Sequence, residues 1–243
     1  MGACVAVGGM SAVRLGCWIV LWCLCCTGAR AGTPALTVYN SDEYTLVDYL
    51  DFYEDTTGTL TFEDMRKPEN EQKFKKLENR LFTWGITNSG LWFRLKIKYP
   101  AGAPNVEESK RWVYEVARTL LNEAECYVVR SDGKIKKITS DVRTPFKNHP
   151  ISHAYSAFPV TLKLGEEATV YVRIKNNTST FVPQTLYSEN GFAKKTSIES
   201  FLFGIFYGGI ILISIYNLFI FLSTRDVSYL FYVGYLMFVM FFA

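Results

Sequence analysis

An apolar stretch of 22 residues near the C-terminal end constrains this chain more than any other feature. It runs over Phe201–Leu222, and its only clearly polar residues are Ser214 and Asn217. A helix that rises about 1.5 Å per residue crosses a hydrocarbon core of about 30 Å with a stretch of this length. We therefore predict a transmembrane helix over residues 201–222 and a protein that is anchored in a membrane.

The last residues predict a second transmembrane helix. A short connector, 223–226, follows the first apolar stretch, and residues 227–243 are again apolar. No charged residue marks the end of the second stretch, so we expect the chain to be cut inside this helix. We interpret residues 191–200 as a linker between the first helix and the domain that precedes it.

Residues 1–31 predict a secretory signal peptide. Arg14 precedes an apolar run of 12 residues, Leu15–Cys26, which is too short to span a bilayer. The small residues Ala29 and Ala31 indicate cleavage after position 31, and an uncleaved anchor is the alternative.

A signal peptide also fixes the expected topology. It places residues 32–200 outside the cytoplasm and Arg225, in the connector, inside it. The positive-inside rule supports this topology only weakly, because Lys194 and Lys195 lie at the outer end of the first predicted helix.

Composition excludes several classes of protein. The formal net charge is +3 and no basic block is present, which argues against a nucleic-acid partner. Five of the six cysteines lie in the predicted signal peptide, so Cys126 has no partner for an intramolecular disulfide after cleavage. The same count excludes a metal centre built on several cysteines.

The sequence shows no catalytic, metal or cofactor motif. His149 and His153 have the spacing of a metal-binding pair on a helix, but Pro150 between them predicts a loop with solvated histidines. The carboxylates form no obvious acid/base pair, and no glycine-rich phosphate loop follows a strand. We therefore predict that the chain is not an enzyme and holds no metal or cofactor.

Residues 32–190 predict an all-β domain outside the cytoplasm. Hydrophobicity alternates with a period of two between residues 80 and 190, which indicates half-buried strands. Strands are predicted over 91–99, 112–116, 125–130, 135–139, 158–164, 170–175 and 181–187, with Asp132-Gly133 in a hairpin turn. Seven such strands are typical of a sandwich of jelly-roll type. The charged segment 69–82 has helical spacing and predicts a helix that caps one end of the sandwich.

Two of the predicted strands place aromatic and basic residues on their outer face. Trp92 and Arg94 alternate with apolar residues on the first, and Tyr171 and Arg173 do so on the second. A sugar suits such a face, because its apolar side stacks on an aromatic ring while its hydroxyl or carboxylate groups meet a guanidinium. The pattern is therefore compatible with a small-molecule or glycan ligand on this face.

Two other interpretations of these residues stay open. In the first, Trp92 is covered by the segment 69–82 and the neighbouring arginine pairs with a surface acid. In the second, a ligand binds through the loop 144–157, which carries His153 and Tyr155.

Small and polar residues in the first apolar stretch indicate helix packing. Gly204 and Gly208 form a G-x-x-x-G motif, which allows two helices to approach closely and permits a homodimer. Asn217 is costly to place in lipid unless it finds a partner on another helix, so it favours a bundle of several helices.

Several of these motifs resemble one family. The turn and strand Phe82-Thr-Trp-Gly-Ile-Thr-Asn-Ser-Gly-Leu-Trp-Phe-Arg-Leu95 resembles the family's glycine-containing turn before a Trp-x-Arg strand. Residues 144–159 are similar to its middle, and residues 203–232 to the start of its membrane region. The family is the bacterial seven-transmembrane receptors with diverse intracellular signalling modules (7TMR-DISM), with a type 2 extracellular domain at about 40–190.

The resemblance implies a jelly-roll ectodomain similar to carbohydrate-binding modules and galactose-binding-like domains, followed by the first two of seven helices. It implies a sensory receptor in the inner membrane of a bacterium, whose cytoplasmic output would be a histidine kinase or a cyclase. A membrane-tethered binding or adhesion module without signalling is the main alternative. A glycan-processing enzyme on a sandwich scaffold is a more distant one.

Overall fold

The computed structural model describes residues 33–77, 83–85, 87–102, 107–119, 121–140, 142, 144–177 and 180–242. The predicted signal peptide, residues 1–31, lies outside these ranges. Residues Ala35–Ala243 form one compact unit.

The described part of the chain contains short and long strands and two long helices. The strands are β1 Leu36–Thr37, β2 Glu43–Thr45, β3 Leu50–Asp55, β4 Lys75–Lys76, β5 Thr83–Trp84, β6 Gly90–Lys98, β7 Ser109–Val116, β8 Glu123–Arg130, β9 Ile135–Thr139, β10 Ser156–Lys163, β11 Glu167–Lys175, β12 Thr180–Phe181 and β13 Gln184–Ser188. The helices are α1 Phe62–Met65, α2 Pro68–Glu71, α3 Glu189–Thr224 and α4 Val227–Phe242, with a 3₁₀ turn at Phe146–Asn148.

Two antiparallel sheets pack face to face as a sandwich. The first sheet has the strand order β4-β3-β6-β11-β8-β9, with β1 parallel to the end of β6, and the second has the order β10-β7-β13-β2. The core between them consists of inward-facing apolar residues, among which Phe93, Leu95, Trp112, Tyr114 and Phe158 are completely buried. The prediction of an all-β sandwich is confirmed.

The alternating pattern locates the long strands well. Strands β6 to β11 and β13 lie within a few residues of the predicted ranges, and β9 matches its range, 135–139. The hairpin between β8 and β9 closes as expected: Gly133 has φ of 80°, and its N–H donates to the carbonyl of Arg130 at 3.0 Å. Strands β1 to β4 were not predicted, because two to six residues give too little alternation to detect.

The predicted helix over 69–82 is wrong in the described residues. Only Pro68–Glu71 is helical there, and Lys75–Lys76 instead pairs with Asp51 and Phe52 as an edge strand. Residues 78–82 lie outside the described residues. Pro68 starts a helix well because its fixed φ suits the first turn, but edge pairing to β3 ends the helical run within one turn.

A chain segment covers the outer face of the first sheet. This cover segment, residues 56–76, contains α1 and α2 and buries a second apolar cluster on the side of the sheet away from the sandwich core. Phe62, Met65 and Phe74 of the cover segment pack there against Trp92 and Tyr171 of the sheet. Strand β6 is therefore buried on both sides over most of its length and exposed only at Lys96 and Lys98.

The long helix α3 begins where the sandwich ends. It follows β13 directly, so the predicted linker, residues 191–200, is helical and continuous with the predicted span 201–222. Helix α3 is long and apolar enough to cross a membrane, and α4 is a shorter apolar helix that packs against it. Arg225 joins the two helices in the left-handed conformation, with φ of 59°.

Candidate ligand face and sandwich–helix junction

The strand register brings the predicted ligand residues together in two cross-strand rows. In one row Tyr53, Trp92, Arg173 and Glu125 are successive partners on β3, β6, β11 and β8. In the other row the successive partners are Asp51, Arg94, Tyr171, Tyr127 and Lys137. The prediction that the four aromatic and basic residues share the outer face is therefore correct in its geometry.

Trp92 is not exposed on this face, so the expectation of an open stacking surface is wrong. Its exposed fraction is 0 %, because Phe62, Met65 and Phe74 of the cover segment lie over it. Its indole Nε1 has no hydrogen-bond partner among the described residues. The interpretation in which the segment 69–82 covers Trp92 is correct for Phe74, but Phe62 and Met65, which precede that segment, cover Trp92 as well.

Arg94 is also buried, where the outer-face interpretation had it exposed. Its Nη2 and Nε atoms both donate to Oδ2 of Asp51, at 2.7 and 3.0 Å, and both side chains are at most 10 % exposed. The guanidinium also lies over the ring of Phe74, 4.5 Å from its centroid. Arg94 therefore anchors the cover segment to the sheet and is not available to a ligand in this arrangement.

Tyr171 belongs to the same covered cluster. Phe62 lies edge-on to it at 5.6 Å between ring centroids and stacks in parallel on Tyr127 at 4.2 Å. Burial raises the pKa of the Tyr171 hydroxyl. The rings of Tyr171 and Tyr127 therefore form the surface of the sheet against which the cover segment packs.

Arg173 lies at the open end of this face. Its Nη1 atom donates to Oε2 of Glu123 at 2.9 Å, and its Nη2 atom donates to the carbonyl oxygen of Gly58 at 3.1 Å. Lys175, two residues along β11, donates from Nζ to the same carbonyl at 3.3 Å. An open cleft of about 420 Å³ adjoins these residues and is lined by Asn122, Glu123, Val142, Lys175 and Asn177.

A second group of polar residues fixes the start of helix α3. The hydroxyl of Ser188 accepts the N–H of Gly191 at 2.9 Å as the helix N-cap, and it donates to Asp42 at 2.7 Å. Lys194 donates to the other carboxylate oxygen of Asp42 at 2.7 Å. The Lys194 and Ser188 hydrogen bonds lower the pKa of Asp42. A Cβ atom at Gly191 would lie 2.3 Å from the carbonyl oxygen of Asp42, so only glycine permits this approach.

An ion pair joins the next turn of α3 to the second sheet. Lys195 donates from Nζ to both carboxylate oxygens of Glu115, at 2.5 and 2.6 Å, and Glu115 on β7 is 1 % exposed. The ammonium also lies over the rings of Tyr155 and Tyr187, at 5.3 and 5.1 Å from their centroids. Burial, followed by the charge of Glu115, raises the pKa of Tyr187 to about 12. A buried carboxylate needs such a partner, because an unpaired one is costly in a low dielectric.

His153 is part of this junction, so the expectation that both loop histidines are solvated is wrong for it. Its side chain is 7 % exposed, and its Nδ1 atom accepts the N–H of Tyr155 at 3.2 Å. In a neutral ring the proton therefore lies on Nε2, which faces Oε2 of Glu199 at 3.2 Å. Its ring packs edge-on against Phe192, at 5.1 Å between centroids.

The structure places His153 and Tyr155 against helix α3 and the other four predicted ligand residues on the covered face, so the two groups do not form one site. The sequence reasoning missed Glu115 and Lys195, although Glu115 is the one acid within a run of buried residues at 112–116. An acid in such a run indicates a buried partner.

The membrane helices show no close packing at the predicted motif within the described part of the chain. No heavy atom lies within 4 Å of a Cβ atom built on Gly204 or Gly208. Asn217, expected to bond to another helix, instead donates to the carbonyl of Ile213 on its own helix at 2.8 Å. Helix packing through these three residues stays a prediction.

Comparison with known proteins divides the chain into the same two parts, the sandwich and the membrane helices. Residues 47–188 match the family described as 7TMR-DISM extracellular 2, and residues 199–243 match the family described as 7TM diverse intracellular signalling. No curated protein matches the chain. Among solved structures, the chain is similar to a tryptic core variant of Cry1Da from Bacillus thuringiensis, with 11 % sequence identity and a TM-score of 0.31. That match covers 65 % of this chain and 25 % of the other, so the chain spans about a quarter of its length.

Proposed function

We propose how this chain, which belongs to the 7TMR-DISM family of membrane receptors and supplies an extracellular sensing domain, transmits a signal. In this proposal, the junction around Glu115 and Lys195 passes a ligand-induced change from the sandwich to the membrane helices. The ligand is a small polar molecule, with sugars included. The chain acts without catalysis, in the inner membrane of a bacterium.

The unbroken helix from Glu189 to Thr224 carries this proposal. It has 36 residues, whereas a membrane span needs about 20, so its first turns lie outside the span and against the sandwich. No loop separates β13 from the helix, because Ser188 is both the last residue of the strand and the helix N-cap. A flexible linker here would absorb a movement of the sandwich, whereas a helix transmits it.

Contacts from three directions hold these first turns. Glu115 comes from β7, Asp42 from the chain before β2, and His153 from the loop before β10. All three belong to the second sheet or to chain next to its strands, so a shift in that sheet acts on α3 through these contacts.

A measurement of distances between spin labels tests this proposal. Labels are placed at Lys163, which is exposed on the sandwich, and at Ser228, which is exposed beyond the end of α3. Cys126 does not compete for the label, because it is buried and burial raises the pKa of its thiol. With residues 32–243 in lipid nanodiscs, so that the five cysteines of the predicted signal peptide are absent, we expect a narrow distribution of distances.

The matched control inserts two glycines after Ser200, which separates the held turns from the membrane span. We expect this insertion to broaden the distribution, because glycine weakens the helix at that point. A parent distribution as broad as that of the insertion variant would overturn the proposal, since the sandwich could then move without moving the helix.

A further inference from the structure

Two cations converge on one neutral oxygen at the open end of the covered face. The carbonyl of Gly58 accepts from both Arg173 and Lys175, at 3.1 and 3.3 Å. Gly58 closes a turn in which its N–H donates to the carbonyl of Asp55 at 3.0 Å. A carbonyl carries only a partial negative charge, so an anionic oxygen would satisfy two cations better.

The acids near this point leave Lys175 without a carboxylate. Glu123 pairs with Arg173 at 2.9 Å, and Glu125, which is 3.9 Å from the same nitrogen, pairs with Lys137 at 2.7 Å. The carboxylate of Asp55 accepts from the backbone N–H groups of Thr57 and Leu60. Within the described residues, Lys175 therefore has only the Gly58 carbonyl as its partner.

The cleft at Lys175 has the size and lining of a small-molecule site. Its volume of about 420 Å³ lies within the range of about 300–1,000 Å³ that is common for such sites. Besides Lys175 it is lined by Asn122 and Asn177, whose amides both donate and accept, and by Glu123 and Val142. This lining offers one cation, two amides for hydroxyl groups, one apolar contact, and one carboxylate that is already paired with Arg173.

We propose that this cleft binds a small polar molecule that carries an oxyanion, with its carboxylate or phosphate on Lys175 and its hydroxyl groups on the two asparagines. This inference rests on the proposed sensing function and names the class of its ligand. The oxyanion competes with the Gly58 carbonyl for Lys175. Binding therefore removes one of the two cations that hold the turn at the start of the cover segment, which links the cleft to the covered face.

Thermal unfolding of the full chain in nanodiscs tests the proposal with three probes: galacturonate, glucose 6-phosphate and neutral glucose. At about 5 mM we expect one of the two anionic probes, but not glucose, to raise the melting temperature of the parent. Which anion acts distinguishes a carboxylate ligand from a phosphate ligand. No shift with either anion, or an equal shift with glucose, would overturn the proposal.

Two lysine variants assign the effect to the cleft. Lys175→Met removes the cation, and we expect it to weaken binding of the active probe at least about tenfold. Lys98→Met is the matched control, because Lys98 is exposed on neighbouring β6 and pairs with Glu167 at the opposite end of β11. We expect Lys98→Met to bind like the parent, and equal binding by Lys175→Met would overturn the proposal.

A second variant is needed in case Lys175→Met fails to fold, and it uses a lining residue that makes no hydrogen bond within the described residues. Asn122 is exposed, and Asn122→Ala should weaken the same probe without lowering the melting temperature of the free protein. Unchanged binding by this variant would place the probe elsewhere. These results are independent of the spin-label distances, so the cleft and the helix coupling can fail separately.

Discussion

Lys195 Nζ lies within 2.6 Å of both carboxylate oxygens of Glu115, although the two residues are 80 positions apart in the chain. One belongs to the sandwich and the other to the helix that enters the membrane. The lysine side chain is partly exposed to solvent, whereas the glutamate side chain is buried. This difference in exposure determines how much free energy of unfolding each substitution removes.

Lys195→Met should destabilise the junction more than Glu115→Gln. The first leaves a buried carboxylate without a cation, at a cost of about 2–3 kcal/mol, whereas the second leaves a lysine that can reach solvent. The double variant should recover part of the first loss. Free energies of unfolding for all four proteins form a double-mutant cycle, and additive losses would show that the two residues do not interact.

Gly191→Ala should detach the start of α3 from the sandwich. The new Cβ atom would lie 2.3 Å from the carbonyl oxygen of Asp42, which is backbone and cannot move aside cheaply. Hydrogen exchange at the amides of the first helical turns should become faster. Gly204→Ala on the same helix is the control, because no atom lies within 4 Å of its Cβ position. Equal exchange in both variants would contradict the close approach.

Trp92→Ala should lower the free energy of unfolding by about 3–5 kcal/mol, because it empties the centre of the covered cluster. An exposed sugar-stacking residue would cost much less to remove. Phe181→Ala is the matched comparison, since Phe181 is 48 % exposed, and its loss should stay within about 1 kcal/mol. Equal losses would mean that the cover segment does not protect Trp92.

The carboxylate of Asp64 should titrate well below its ordinary range. Hydrogen bonds from Lys67 and Thr61 lower its pKa from 3.8 to about 2. The pKa of Asp64 is lower in the folded than in the unfolded protein. The stabilisation that its carboxylate gives to the start of α1 is therefore complete above the unfolded pKa and is lost as the pH falls through about 2. Carbon-13 NMR of the carboxyl group gives the midpoint.

The same titration in Lys67→Met provides the control. Without the ammonium that makes the largest contribution, the midpoint should rise toward 3.8. A parent midpoint near 3.8 would show that the capping contacts between Thr61, Asp64 and Lys67 do not form in solution.

The alternation of residue types is sufficient to predict the sandwich and to place Trp92, Arg94, Tyr171 and Arg173 on one face. It shows which residues of a strand share a side, but it does not show what lies over that side. The cover segment is built from two single-turn helices and a two-residue strand. None of these is long enough to produce a periodic signal, so the sequence leaves burial of Trp92 as one open interpretation among others.

The junction was hidden from sequence reasoning for a different reason. In the sequence, Lys194 and Lys195 have the position of charges that flank a membrane span, which is how such residues usually act. Their partners are far away in the chain: Asp42 lies 152 positions before Lys194, and Glu115 lies 80 positions before Lys195. Only the three-dimensional arrangement of β7 and α3 reveals that the lysines serve the ectodomain.

Strand β13 continues directly into helix α3, so the side-chain repeat of a strand is coupled there to the side-chain repeat of a helix. Side chains of a strand alternate every residue, whereas each residue of a helix turns the next by about 100°. Adding or removing one residue at Ser188 would therefore rotate every membrane-facing side chain of α3 by about 100° relative to the sandwich. The orientation of the membrane helix about its axis is thus set by the pairing of β13 with β7. A slip of one residue between these two strands would turn the helix and also displace its start by about 3.3 Å.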